Sequence, residues 1–145
     1  MVTPFRLRPD GWASTRDVPD TLTLMPGQTI LHFCTRDAWS AAQAGGEYRG
    51  DTLADEGFIH CSTADQVHLP ANALVRGRTD IVLLEVDPTR LTAPVRWEPG
   101  DPDDAASMQF PHVYGPIPLD AVIDVHDFPP GPDGTFAVPA EVLTE

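Results

Sequence analysis

The chain has 145 residues, 41% of them apolar, which fits one globular domain of ordinary composition. Its formal charge is −13, from 22 acids against nine bases, and every base is an arginine. The lack of lysine excludes a Schiff-base lysine, a catalytic lysine base and a P-loop lysine, and the acidic balance disfavours an extended nucleic-acid partner, whose phosphates call for a basic footprint.

Residues 1–28 contain Pro4, Pro9, Pro19 and Pro26. They predict an irregular N-terminal arm ahead of a single domain at 29–145. A short strand at Thr21–Met25 and a pinning role for Trp12 are the expectations within that arm. Thr29–Cys34, reading TILHFC, predicts the first strand. Thr35 is placed to cap an alanine-rich helix over Arg36–Ala44, and Gly45–Gly46 to end it. Asp51–Glu56 is polar and reads as a turn, and Gly57–Ser62 (GFIHCS) as the second strand. Thr63-Ala64-Asp65-Gln66 matches a capping box, in which hydroxyl and amide satisfy orphan backbone N–H groups at a helix start. Pro70 is expected to break or kink that helix after its first turns, with a second helical piece at Ala71–Val75.

Asp80–Val86 (DIVLLEV) is a near-continuous apolar run, the pattern of a central strand covered on both faces. After the Asp87–Pro88 turn, Pro94–Glu98 predicts a shorter strand and Pro99–Ser107 an acidic loop. Phe110–Pro116 (FPHVYGP) reads as a rigid loop carrying His112. Strands are expected at Ala121–Val125 and Thr135–Val138. Helices and strands do not alternate strictly, so the fold class is α+β with a mixed or largely antiparallel sheet.

No apolar run reaches the roughly 20 residues of a membrane helix. The N-terminus lacks a basic stretch followed by an apolar one, so the expectation is a cytoplasmic protein with no membrane partner. Cys34 and Cys61 form no CxxC pair and are expected to stay reduced, with Cys61 as core packing.

Side chains alternate across a strand. Leu31 and Phe33 then share one face and Ile30, His32 and Cys34 the other, while Ile59 and Cys61 oppose Phe58, His60 and Ser62. With Leu31/Phe33 and Ile59/Cys61 taken as core, neighbouring strands would bring His32 and His60 onto one mixed surface and point the two sulfurs apart. Trp39 and Trp97 read as core, Tyr48 as a residue over the pocket mouth, and His68 and His126 as surface residues without a role.

Histidine, glutamate and tyrosine suit acid–base work near neutral pH. His60, His112, Glu98 and Tyr114 are therefore the candidate catalytic residues, and His32, His60 and Ser62 the candidate binding residues. Ser62 lacks a nucleophile elbow and an acid partner. The histidines match no metal-motif spacing, so no metal is expected. Two alternatives stand beside a metal-free acid–base enzyme: a non-catalytic small-ligand or partner-binding domain with structural histidines, and a His/Glu metal-dependent hydrolase.

ILHFCTRDAW (Ile30–Trp39), Gly46-Glu47-Tyr48, GFIHCS, Gln66, Arg96-Trp97-Glu98 and FPHVYGPIPLDAV (Phe110–Val122) together resemble the small bacterial and plant proteins of domain-of-unknown-function family 952. At the superfamily level that family is similar to the ADP-ribosyltransferase fold, with split small sheets around an NAD cleft and two short helices here. The resemblance implies NAD or a related small nucleotide-like ligand. His32 would contact the nicotinamide ribose and His60 would hold the second motif position, with His112, Glu98 and Tyr114 orienting the reacting groups. The final acidic motif of classical transferases has no counterpart near Val113 and Ile117.

Overall fold

The computed structural model describes residues 29–101, 103–104 and 106–139. The expectations for the arm, Trp12 and Thr21–Met25 included, lie outside the described residues. The described chain is mixed α+β, with three small antiparallel sheets and a few short helices.

Strand β1 (Ile30–Thr35) leads into helix α1 (Arg36–Gly45). Thr35 Oγ1 accepts from the backbone N–H of Ala38 at 3.0 Å, the N-cap bond the sequence predicts. Gly46 ends the helix at φ 92°, a left-handed conformation that glycine adopts without a Cβ clash. Next come β2 (Glu47–Tyr48), the single-turn α2 (Leu53–Glu56) in place of the predicted turn, and β3 (Ile59–His60).

Helix α3 (His68–Leu74) tolerates Pro70, against expectation. Pro70 is the third helical residue, in the first turn, where an N–H has no intrahelical acceptor to lose. Half of the capping box forms: Gln66 Oε1 accepts from the Thr63 N–H at 3.0 Å. Gln66 Nε2 also donates to the Gln109 carbonyl at 3.2 Å, tying this turn to a distant strand.

Strand β4 (Ile81–Val86) is buried along its whole length between β1 and β8 (Val122–Asp127). The central position predicted for it holds. A second sheet runs β3–β6–β5, from β6 (Gln109–Val113) and β5 (Val95–Pro99), and β2 pairs with β7 (Ile117–Pro118) in a third. Two predictions fail here. Thr135–Val138 is irregular, and His112 sits in strand β6 rather than a loop. Pro111 suggested a loop because it cannot donate to a ladder. The strand survives because β3 is only two residues long and the Pro111 carbonyl still accepts from Cys61 N–H at 3.0 Å.

The core has two lobes, one on each side of the β1–β4–β8 sheet. Ile30, Cys34, Val82, Leu84 and Val86 face Ile59, Cys61, Val113 and Ile117. Leu31, Ile81 and Leu83 face Val67, Ala71, Phe128 and Phe136. Burying such an aliphatic side chain contributes about 1.5–3 kcal/mol, so both faces of β1 are held. This corrects the expected division into a core face and a mixed face. Cys34 and Cys61 border the same lobe, both buried and both free thiols.

Candidate functional site

The second sheet builds the site. His60 on β3 lies directly opposite His112 on β6, and His112 lies opposite Arg96 on β5. Their rings meet edge to face with centroids 5.0 Å apart. Phe58, just before β3, stacks on His112 at 4.2 Å with its plane tilted by 16°, and lies 5.2 Å from Tyr114. Glu56, at the end of α2, accepts from His60 Nε2–H at 2.9 Å.

Glu98 is the hub. Its Oε1 accepts from His112 Nδ1–H at 2.7 Å and from the Tyr114 hydroxyl at 2.6 Å. An ionised carboxylate only accepts, so Nδ1 of His112 carries the proton and Nε2 keeps its lone pair in the neutral ring. Nε2 makes no hydrogen bond among the described residues. Glu56, Phe58, His60, Glu98, His112 and Tyr114 line a cleft of about 400 Å³. The Arg96 guanidinium lies 5.3 Å from the Tyr114 ring centre.

Burial holds the His112 imidazolium below the ordinary histidine range, against the bond from Glu98, which works the other way. Burial alone would raise the Glu98 carboxyl, but bonds from Tyr114 and His112 outweigh it and hold it below the usual value. Burial and then the Glu98 bond push the Tyr114 phenol up to about 12. Near neutral pH the group is therefore a carboxylate, a neutral imidazole and a protonated phenol.

His32 stands apart from this cluster. Its Nδ1–H donates to the His60 carbonyl, and its Nε2 accepts from the Tyr48 hydroxyl at 2.7 Å. Both ring nitrogens are thus engaged inside the protein. Desolvation pulls its pKa down to about 4, so the ring is neutral. The expectation that His32 and His60 share one sheet face needs correcting. They belong to different sheets, which a bridge between Leu31 and Ser62 connects with reciprocal backbone bonds of 2.7 Å. Ser62 is buried at that bridge. His32, Tyr48 and Ser62 line a larger open groove of about 1450 Å³, and His60 and His112 line both hollows.

Of the predicted residues, His60, His112, Glu98 and Tyr114 converge. His32 and Ser62 lie along the adjoining groove. The sequence reading missed Glu56 and Phe58. A signal was available for both: Glu56 lies four residues before His60, and strand parity put Phe58 on the same face as His60. The cleft residues do not form a compact three-ligand metal group. Among the described residues that arrangement is met by Glu85, Asp124 and His126, on the other sheet.

The sheet arrangement and this His-Glu-Tyr cluster define a small α+β protein with a His-lined cleft. The chain belongs to the family described as "Protein of unknown function (DUF952)", whose model matches residues 33–125. It is similar to the crystal structure of protein CC0527 from Caulobacter crescentus, at 28% identity over 79% of this chain and 98% of that one, with a TM-score of 0.69. A crystal structure of a double mutant of CC0527 matches at 27% identity over 79% and 98% of the two chains, with a TM-score of 0.69. The solution NMR structure of CC0527 matches at 28% identity over 81% and 98%, with a TM-score of 0.66. Among curated proteins none matches the chain.

Proposed function

We propose that the protein is an acid–base enzyme acting on a small molecule bound in the His60–His112 cleft, with NAD or a related nucleotide as the ligand class. One observation carries the reading: Glu98 Oε1 accepts at once from His112 and Tyr114, leaving His112 Nε2 available at the cleft.

In this reading His112 Nε2 takes a proton from a substrate hydroxyl or an attacking water. Glu98 offsets the positive charge that forms on the ring. Tyr114 keeps its proton and donates to Glu98, holding the carboxylate in place. His60, its Nε2–H held by Glu56, is a second imidazole beside the first. A positioned base of this kind contributes about 10²–10⁴-fold to a rate. Arg96, beside the Tyr114 ring and outside the cleft lining, would meet only an anionic group that extends out of the cleft past Tyr114. Separate small antiparallel sheets with a hollow between them support an ADP-ribosyltransferase-like reading. The groove that shares His60 and His112 with the cleft has room for a dinucleotide.

The experiment is a titration of NAD into the purified protein, following the imidazole resonances. The expected result is perturbation of His60 and His112. Unmoved resonances at millimolar NAD would overturn the nucleotide reading. Turnover found in a metabolite screen should collapse in His112→Gln, and activity unchanged in that variant would overturn the acid–base reading.

A further inference from the structure

A second cluster of chemistry-bearing side chains lies on the other sheet. Glu85 is 2% exposed on β4, where every other residue is apolar. It pairs with Asp124 across the β4–β8 ladder, and His126 follows two residues along β8, so all three project from one face. His126 Nε2 lies 2.7 Å from Glu85 Oε1 and 3.8 Å from Asp124 Oδ2, and the three donor atoms all lie within 4.8 Å of one another.

We infer that Glu85, Asp124 and His126 bind one divalent cation of the zinc or manganese class, a site separate from the cleft and independent of its function. Three physical points argue for it. First, carboxylates directly opposite each other in a sheet repel, and a cation between Glu85 and Asp124 would relieve that repulsion, adding to the His126 and Thr29 contacts that already hold the buried Glu85 carboxylate. Second, the spacing is near that of a coordination shell. Ligands about 2.1 Å from a tetrahedral ion lie about 3.4 Å apart, so the 3.8 Å separation would close slightly and the 2.7 Å one would open. Third, the carboxylate is already aimed, because Thr29 Oγ1 donates to Glu85 Oε2 at 3.0 Å and leaves Oε1 toward His126.

The donor set decides the metal class. Two carboxylates and one imidazole suit zinc, manganese or iron, whereas calcium and magnesium favour all-oxygen shells. The ion would enter past Asp124, whose side chain is 58% exposed, and reach Glu85, whose side chain is 3% exposed. It would cross-link edge strand β8 to central strand β4. Binding displaces the His126 Nε2–H bond to Glu85, so that proton must leave the nitrogen as the metal bonds to it.

The test adds zinc chloride to the metal-stripped full chain, read by calorimetry, thermal melting and histidine resonances. Expected are one zinc per chain, a melting temperature that rises with zinc, and a shift of the His126 ring with little change at His112. Asp124→Asn, at an exposed position that should leave the fold intact, should weaken binding about tenfold or more because one charged ligand is lost. His112→Gln should bind as the parent does. The inference fails if zinc produces neither heat nor a melting shift, if Asp124→Asn binds as tightly as the parent, or if His112→Gln abolishes binding and so moves the ion to the cleft.

Discussion

His60 and His112 face each other across the β3–β6 ladder, with ring centroids 5.0 Å apart. Charge on His60 therefore disfavours charge on His112. In His60→Gln the His112 titration midpoint should move up. Histidine-resolved NMR from pH 4 to 8 reads it directly, and a midpoint equal to the parent's would show that the rings do not sense each other.

Glu98 acts on His112 in the opposite sense. Burial lowers the His112 pKa and the Glu98 bond partly restores it. Glu98→Gln should accordingly lower the His112 midpoint further. The same change should bring Tyr114 ionisation down from about 12, because the carboxylate contributes to its elevation after burial. Ultraviolet titration of tyrosinate follows the second effect, and a Tyr114 value that stays put in the variant would contradict the 2.6 Å bond.

Stability should fall on acidification before the carboxylates titrate. His32 is depressed from 6.5 to about 4 in the folded protein. Its contribution is complete above 6.5 and is lost as pH falls toward 4, because only the unfolded chain takes up the proton in that window. The loss is on the order of a few kcal/mol. Urea melts at pH 7 and pH 4.5 should differ in the parent and differ less in His32→Gln, which lacks the titrating ring. Equal pH dependence in the two proteins would remove His32 as the cause.

Tyr48→Phe isolates the other half of the His32 linkage. It deletes the hydroxyl that donates to His32 Nε2 at 2.7 Å and leaves that acceptor without its partner. An unsatisfied buried acceptor costs about 1–3 kcal/mol, and the ring volume is unchanged. A drop of that size in a denaturant melt is expected. No drop would mean that solvent reaches the nitrogen.

Much of the local structure could be read from the chain alone. The Thr35 cap, the α1 span, the Gly46 stop and the apolar run of β4 depend on bonds and periodicities within a few residues. The His-Glu-Tyr inventory of the cleft was visible too, because histidines inside apolar blocks are unusual and stand out without a partner in view. Pro70 and Pro111 misled the reading for one shared reason. Whether a missing N–H matters depends on whether the fold needed that donor.

What the chain alone could not determine is which residues meet. Strand parity put His32 beside His60, but strand order is set by long-range pairing, and it placed His112 there and sent the His32 nitrogens to Tyr48 and a backbone carbonyl. The role of Glu85 was equally hidden: 41 residues separate it from His126, and only the β4–β8 register brings them together. Composition and short-range pattern determined the elements and the kinds of chemistry available. Tertiary structure decided the partners, because a side chain's protonation and reach are set by neighbours whose distance along the chain carries no information about their distance in space.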